Sequence, residues 1–363
     1  MPHFIILTQE AGQFPEQSPV TANNHQGNRS CALIARCLAE KGHHVTQLVI
    51  SDCDLRKDGL YHKGEKIDLN NYNGVIKRTW DGGKNAAKGA DIQQYLETQG
   101  LYAETPSIAQ RITLNKVHMQ LVMDDQGVKT PKTVIYDFTH SPYDETTALT
   151  NFNKLPREAG KPVAVLKQQT GTQGNGIAFY HSQEEVFTAL RGAATAKQTV
   201  LMQEYISPTL RIKSETNTDR NAAHYRIIMS RNKETGNYQC LGGLYLQRNG
   251  AYISNSSYKG EGILHTEALP TETLSLHLLR DLAKTGRKIG IHQFGADVMI
   301  NDKGAFILEL NDGFGISGPL LEKQKIPEKY VDSFLERYQE RYKFRHKFHQ
   351  QLALNESFAQ SRL

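Results

Sequence analysis

An α/β fold, with a doubly wound parallel sheet first and α+β elements after it, is predicted by three observations. Short apolar strands alternate with helices up to Gln99, the pattern of a mostly parallel sheet. From Pro162 onward the strands pair through glycine-bearing turns, as antiparallel hairpins do. The length, 363 residues, exceeds one average domain and predicts two or three lobes.

Phe4–Leu7 reads as a short buried strand, and the Gln-, Asn- and Pro-rich stretch from Glu10 to Asn28 as a long loop. Ser30–Lys41 carries apolar residues at helical spacing and is stopped by Gly42. Val45–Ile50 and Gly74–Lys77 follow as strands, and Ala86–Gln99 as a helix ended by Gly100. In such sheets ligands sit beyond the carboxyl ends of strands, which makes Arg78 a candidate substrate contact. Thr113–Gln126 is predicted as one helix with Leu114, Val117, Leu121 and Val122 inward, and Lys116 near its start. A cation in a first turn opposes the helix dipole and can answer to an anion.

Strands are then expected at Lys132–Tyr136 and Val163–Lys167, with a helix at Glu145–Lys154 between them. Gly171, Gly174 and Gly176, interleaved with Thr172, Gln173 and Asn175, form a glycine-rich flap before a second strand. Bare backbone N–H groups can approach phosphate oxygens closely, and Lys167 adds a point charge. It is not a P-loop, since no Gly-Lys-Ser/Thr follows, and not a dinucleotide fingerprint, since a strand follows rather than a helix. Glu184–Arg191 is predicted as a helix and Val200–Ile206 as a strand that can offer backbone groups to a base edge. After a basic, polar loop at Arg211–Asn221, Ala222–Arg231 and Tyr238–Gln247 read as antiparallel strands, carrying Arg226 and leading to Arg248. Gly250–Gly262, with Asn255 as a candidate substrate contact, reads as a mobile loop. Thr271–Lys288 and Pro327–Gln351 read as helices, with a frayed end after them.

Between the last two helices lies the hairpin FGADVMINDKGAFILELND, Phe294 to Asp312. Two strands, Ala296–Ile300 and Ala305–Leu310, flank a turn at Asn301–Gly304. Around a turn centred near Lys303, Asp297 falls opposite Glu309, and Asn311 shares the face of Glu309. Three oxygen side chains on one face suit a hard cation such as Mg2+.

Composition narrows the class. Hydrophobic content of 38% and charged content of 22% are ordinary for a globular protein. A net charge of +5 is too small for a dedicated nucleic-acid surface and suits an anionic small ligand. The four cysteines show no metal-ligand spacing and read as reduced thiols. With no signal peptide pattern and no membrane-length apolar run, a cytoplasmic protein without a membrane partner is expected.

The ordered features resemble the ATP-grasp superfamily and, within it, the RimK-like carboxylate–amine ligases. They are Lys116 after Asn115, VLK at 165–167, GTQGNG at 171–176, QEYI at 203–206, YRI at 225–227, and GADV…ELN at 295–311. IKR at 76–78 and IAQRITLNKVHMQL at 108–121 resemble that group's amino-terminal lobe, so the resemblance covers nearly the whole chain. It implies three lobes, with ATP clasped between the second and third: residues 1–110, 111–205 and 206–345, followed by a tail at 346–363. It implies that Lys116 and Lys167 bind phosphates with the flap, and that Gln203, Glu204, Tyr205 and Ile206 form the adenine strand. Asp297, Glu309 and Asn311 match its metal ligands for one or two Mg2+, with Mn2+ as an alternative. Arg226 and Arg248 match its arginines near the phosphates and the reacting carboxylate. The chain departs from the group at Asn115, where an acid is frequent, and at Phe314, where a proline is usual.

The expected activity is ATP-dependent amide formation between a carboxylate and an amine through an acyl phosphate, releasing ADP and phosphate. The expected substrate is an amino acid, a peptide or a protein end, and a homo-oligomer is left open. A peptide-modifying macrocyclase, a non-catalytic ATP-binding regulator and a kinase are the alternatives.

Overall fold

A computed structural model describes residues 1–9, 26–78, 84–171, 174, 176–212, 221–232, 234–254, 263–270 and 274–360. Four sheets carry the chain. The first begins with β1 (His3–Thr8), α1 (Gln26–Glu40) and β2 (His44–Val49). A three-stranded antiparallel sheet follows, β3 (Cys53–Arg56), β4 (Gly59–His62) and β5 (Glu65–Lys66). These short polar strands were not evident from periodicity. The chain then returns through β6 (Gly74–Arg78), α2 (Lys84–Thr98) and β7 (Tyr102–Ala103). The main sheet is parallel, in the order β2-β1-β6-β7, as strand–helix alternation requires.

Where one helix was expected at 113–126 there are two, α3 (Ser107–Leu114) and α4 (Lys116–Asp125). The break is at Asn115, whose side chain accepts from Val117 N–H at 3.0 Å and His118 N–H at 3.1 Å. It is the N-cap of α4, a role Asn and Asp perform about equally well. Restarting the helix there rotates its buried face. Met119, Gln120 and Met123 point inward, while Leu121, expected inside, is 53% exposed.

The second sheet is built from β8 (Thr133–Asp137), α5 (Glu145–Asn153), β9 (Ala164–Gln168), β10 (Ile177–Tyr180), α6 (Gln183–Thr195) and β11 (Thr199–Gln203). It is antiparallel, in the order β10-β9-β11-β8, and buries Phe152, Phe187 and Leu190 of its helices. The third sheet takes β12 (Asn221–Arg231), β13 (Tyr238–Asn249), β14 (Ile263–Ala268), α7 (Leu276–Ile289), β15 (Gln293–Asn301) and β16 (Gly304–Asn311). Its order is β14-β13-β12-β15-β16. One face buries Leu278 and Leu282 of α7 together with Met119 and Met123 of α4, which leaves the other face for a ligand.

α8 (Pro319–Lys323) and α9 (Ile326–Gln360) complete the chain. α9 runs nine residues past the expected end, since no Gly or Pro interrupts the sequence after Gln351. Tyr330, Val331 and Phe334 of α9 are fully buried in the same core as Phe4 and Ile6 of β1. The Phe4 and Phe334 rings meet edge-on at 5.1 Å. The chain's last helix thus packs on its first strand and holds the third sheet against the first.

Candidate active site

The metal-type face is positioned by a bulge. The hairpin turn is two residues long, pairing Asn301 with Gly304, and a regular ladder from it would set Asp297 opposite Leu308. Glu309 would then share the apolar face of Ala296. The register shifts between Asp297 and Val298, leaving Leu308 unpaired, so that Asp297 meets Glu309 and Gly295 meets Asn311. The pairing read from sequence is therefore present, reached through a tighter turn plus one extra residue.

Asp297 is 6% exposed and directly opposite Arg226 on β12. The guanidinium grips it bidentately, Nε to Oδ1 at 2.8 Å and Nη2 to Oδ2 at 2.7 Å. Burial alone would raise the Asp297 carboxyl, but Arg226 and His224 beside it hold it below the usual carboxylate range. Asn311 Nδ2 donates to Glu309 Oε1 at 3.2 Å, which leaves the amide oxygen of Asn311 as a donor atom for a cation. Each carboxylate oxygen keeps a further lone pair, so two carboxylates and an amide fit a hard divalent ion completed by phosphate oxygens. Among the described residues, no three His, Cys, Asp or Glu side chains form a self-sufficient metal cage.

Across the cleft stands the flap. The register of β9 with β10 pairs Lys167 with Ile177 and Val165 with Phe179, so all four share one face, toward the cleft. Burial, with the nearby Lys116 ammonium, lowers Lys167 to about 8, against the pull of Glu309 and Asp297. Lys116 Nζ donates to the Gly171 carbonyl, and Lys116 N–H donates to Gln169 C=O at 2.9 Å. The flap's root is thus tied to the start of α4. Gly174 and Gly176 have φ of 85° and 72°, where only glycine is unstrained, and a Cβ on Gly176 would lie 2.8 Å from Gln168 Oε1.

Two measurable consequences follow here. Gly174→Val forces a branched residue into the left-handed region, and turnover is expected to fall at least about tenfold with little change in melting temperature. Hydrogen exchange over residues 168–178 should slow when a non-hydrolysable MgATP analogue binds; equal protection in both states would make the flap a rigid hairpin. The second consequence is a pH dependence. Lys167 in the free protein loses its charge as pH rises through about 8, so above that pH phosphate binding must be accompanied by uptake of a proton from solvent. MgATP affinity is expected to weaken above pH 8 by up to about tenfold per unit, and an affinity flat to pH 10 would contradict a phosphate contact at Lys167.

The mouth of the cleft is apolar. Phe179 of β10, Tyr205 after β11 and Tyr252 after β13 form a ring cluster, with Phe179 and Tyr252 stacked at 5.1 Å. Met299 and Leu308 line its floor. The strand expected to reach Ile206 stops at Gln203, and Glu204 to Ile206 continue along the cleft wall. Glu204 N–H donates to Lys132 C=O at 2.9 Å. The space between these walls, open solvent included, is about 890 Å³.

Lys116, Lys167, Gly171, Gly174, Gln203, Glu204, Tyr205, Ile206, Asp297 and Glu309 all line this one cleft. Gly176 lies at the flap's return, and Asn311 and Arg226 stand behind Glu309 and Asp297. Arg248 is buried on β13 opposite Ala222, outside the lining. Arg78 is buried elsewhere, bonded to the Phe314 carbonyl and packed over the Phe314 and Tyr330 rings. Phe314, which stands where the resemblance has proline, thereby holds the first sheet to the third. Thr172, Gln173 and Asn255 lie outside the described residues. Sequence reasoning missed His224, Phe179, Tyr252 and Ser254. Alternation could have found the first, since His224 is two residues from Arg226 on one strand face.

No family model matches the chain. It is 23% identical over 290 residues to a "Probable alpha-L-glutamate ligase" of Cellvibrio japonicus, covering 79% of this chain and 84% of that one. A protein of the same name from Alkalilimnicola ehrlichii is 25% identical over 288 residues, covering 77% and 82%. Among solved structures, D-alanine–D-alanine ligase from Bacillus anthracis complexed with ATP superposes with a TM-score of 0.62 at 14% identity, over 95% of this chain and 99% of that one. A RimK domain ATP-grasp protein from Sphaerobacter thermophilus gives 0.55 at 14%, over 92% and 99%. The ATP-grasp ligase PsnB with a precursor variant, Mg and ADP gives 0.59 at 13%, over 92% and 98%. The chain has the ATP-grasp fold, and the proteins it is similar to in sequence and in fold are named as ligases. Within that class its sequence is similar to the alpha-L-glutamate ligases, as the RimK-like motifs implied.

Proposed function

We propose that this ligase binds MgATP with the base at the Phe179–Tyr205–Tyr252 mouth and the phosphates between the flap and the Asp297–Glu309 face. The observation that carries the reading is the single cleft in which Lys116, Lys167 and the flap glycines face two carboxylates. With the Glu204 N–H already paired, the base edge is left the Glu204 carbonyl and the backbone of Tyr205 and Ile206. Asp297, Glu309 and Asn311 would hold magnesium, which supplies charge neutralisation between terminal phosphates when bound.

The chain's own residues do the rest. Lys167 and Lys116 neutralise negative charge that spreads over the transferred phosphoryl group, and the flap amides orient it. For the second role Lys116 must exchange the Gly171 carbonyl for a phosphate oxygen, which couples flap position to nucleotide binding. The substrate carboxylate attacks the γ-phosphorus and ADP leaves. The acyl phosphate is then attacked by an amine, phosphate departs and an amide remains. Positioning and electrostatics suffice, without a protein nucleophile. The acceptor is an amino acid or a peptide end. The site is proposed to work in the cytoplasm; among the described residues no helix is long and apolar enough to cross a membrane.

The test is nucleotide analysis during a screen of amino acids and short peptides, with product mass. Substrate-dependent ADP and phosphate with an amide product are expected. Stoichiometric AMP would point to adenylation and remove the acyl phosphate.

A further inference from the structure

Three residues with no part in the proposed nucleotide contacts, Lys77, Thr113 and Asp312, meet at the end of the carboxylate strand. Asp312 directly follows Asn311, the last residue of β16, and is 5% exposed. Its Oδ1 accepts from Thr113 Oγ1 at 3.0 Å. Its Oδ2 lies 3.7 Å from Nζ of Lys77, a buried residue of β6, and neither of these two atoms has a hydrogen-bond partner among the described residues. A buried ion pair contributes little net stability, because desolvation offsets the attraction, and holding one arrangement is its best attested use.

What the pair could hold is set by Thr113. It sits in the last turn of α3, three residues before Lys116. Asn115 between them has extended backbone, so no continuous helical ladder fixes where α4 begins. A bond from outside the helices can fix it, and Thr113 makes one to Asp312. A small recess shares Lys116, Lys167 and Glu309 with the cleft and has Thr113 in its wall. Lys116 in turn ties down the root of the flap through Gln169 and Gly171. A line of contacts thus runs from the first sheet, past the end of the carboxylate strand, to the lysine at the cleft.

We propose that Asp312, acting through Thr113, is a positioning residue that sets the distance of Lys116 from the Asp297–Glu309 face, and with it the grip on nucleotide phosphates. The inference rests on the proposed phosphate contact of Lys116. Lys77 supplies the counter-charge that lets a carboxylate stay buried at this point.

Calorimetric titration with MgADP and with adenosine tests this without relying on turnover. Thr113→Val is expected to weaken MgADP binding about tenfold and to leave adenosine, which has no phosphate for Lys116, within about twofold. Thr113→Ser keeps the hydroxyl and should restore the wild-type affinity. In Lys116→Ala the phosphate contact is already gone, so adding Thr113→Val should weaken MgADP no further. Asp312→Ala combined with Lys77→Met leaves no buried charge unmatched and should reproduce the Thr113→Val loss, which keeps the inference testable if Thr113→Val does not fold. If Lys116→Ala weakens MgADP while Thr113→Val and the Asp312–Lys77 double variant bind it like the wild type, Asp312 only fastens the lobes together and the inference is wrong while the phosphate reading stands. Equal losses of MgADP and adenosine would overturn it as well, because they mark a general disturbance of the cleft. If Lys116→Ala binds MgADP like the wild type, the phosphate reading fails and the inference fails with it.

Discussion

Glu309→Gln is expected to lower Mg-dependent ADP release by about 10²–10³-fold while the melting temperature stays near that of the wild type. Glutamine keeps the size of glutamate and can still accept from Asn311 Nδ2, so the hairpin has no reason to unfold. What it loses is the anionic donor paired across the bulge with Asp297. A metal bound by one or two carboxylates and phosphates has little else to hold it. Steady-state turnover and thermal melting on the same preparation decide the matter. Turnover within a few-fold of wild type would remove Glu309 from the metal face.

Asp297→Ala is expected to act on stability as well as activity. Arg226 and Asp297 side chains are 16% and 8% exposed and bonded bidentately. Removing one partner leaves a buried guanidinium without its anion, which costs about 3–5 kcal/mol. The urea midpoint should fall accordingly. Adding Arg226→Met to Asp297→Ala should restore much of the loss, because an apolar residue needs no counter-charge. If Asp297→Ala leaves the midpoint unchanged, Glu309 has taken over as the partner of Arg226. Activity should be lost in both variants, since neither retains the carboxylate.

These two residues mark what local sequence can and cannot encode. Strand alternation alone puts Val165 and Lys167 on one face, and spacing alone puts Glu309 and Asn311 on another, because the two-residue period of a strand is a local property. The glycines of the flap and the order of the motifs are equally local, so the lysine–glycine face and the carboxylate face were both legible. The helix break at Asn115 was legible too, in a cap residue overlooked within a helical pattern.

Other features were decided by the tertiary structure. The turn and the pairing of the last hairpin agree only through a bulge at Leu308, which no periodicity announces, since an extra residue is tolerated wherever neighbouring strands permit it. The burial of Arg78 under Phe314 and Tyr330 joins segments far apart in sequence. The Phe179–Tyr205–Tyr252 mouth draws one ring from each of three separate elements. α9 returns to the first strand for the same kind of reason: an apolar stripe states that a helix will be buried, and only the surfaces left uncovered by the rest of the chain determine where. The sequence by itself determined the chemistry available, lysines and glycines facing carboxylates. The three-dimensional packing determined that they meet in one cleft, because which faces come together depends on long-range burial that no single stretch contains.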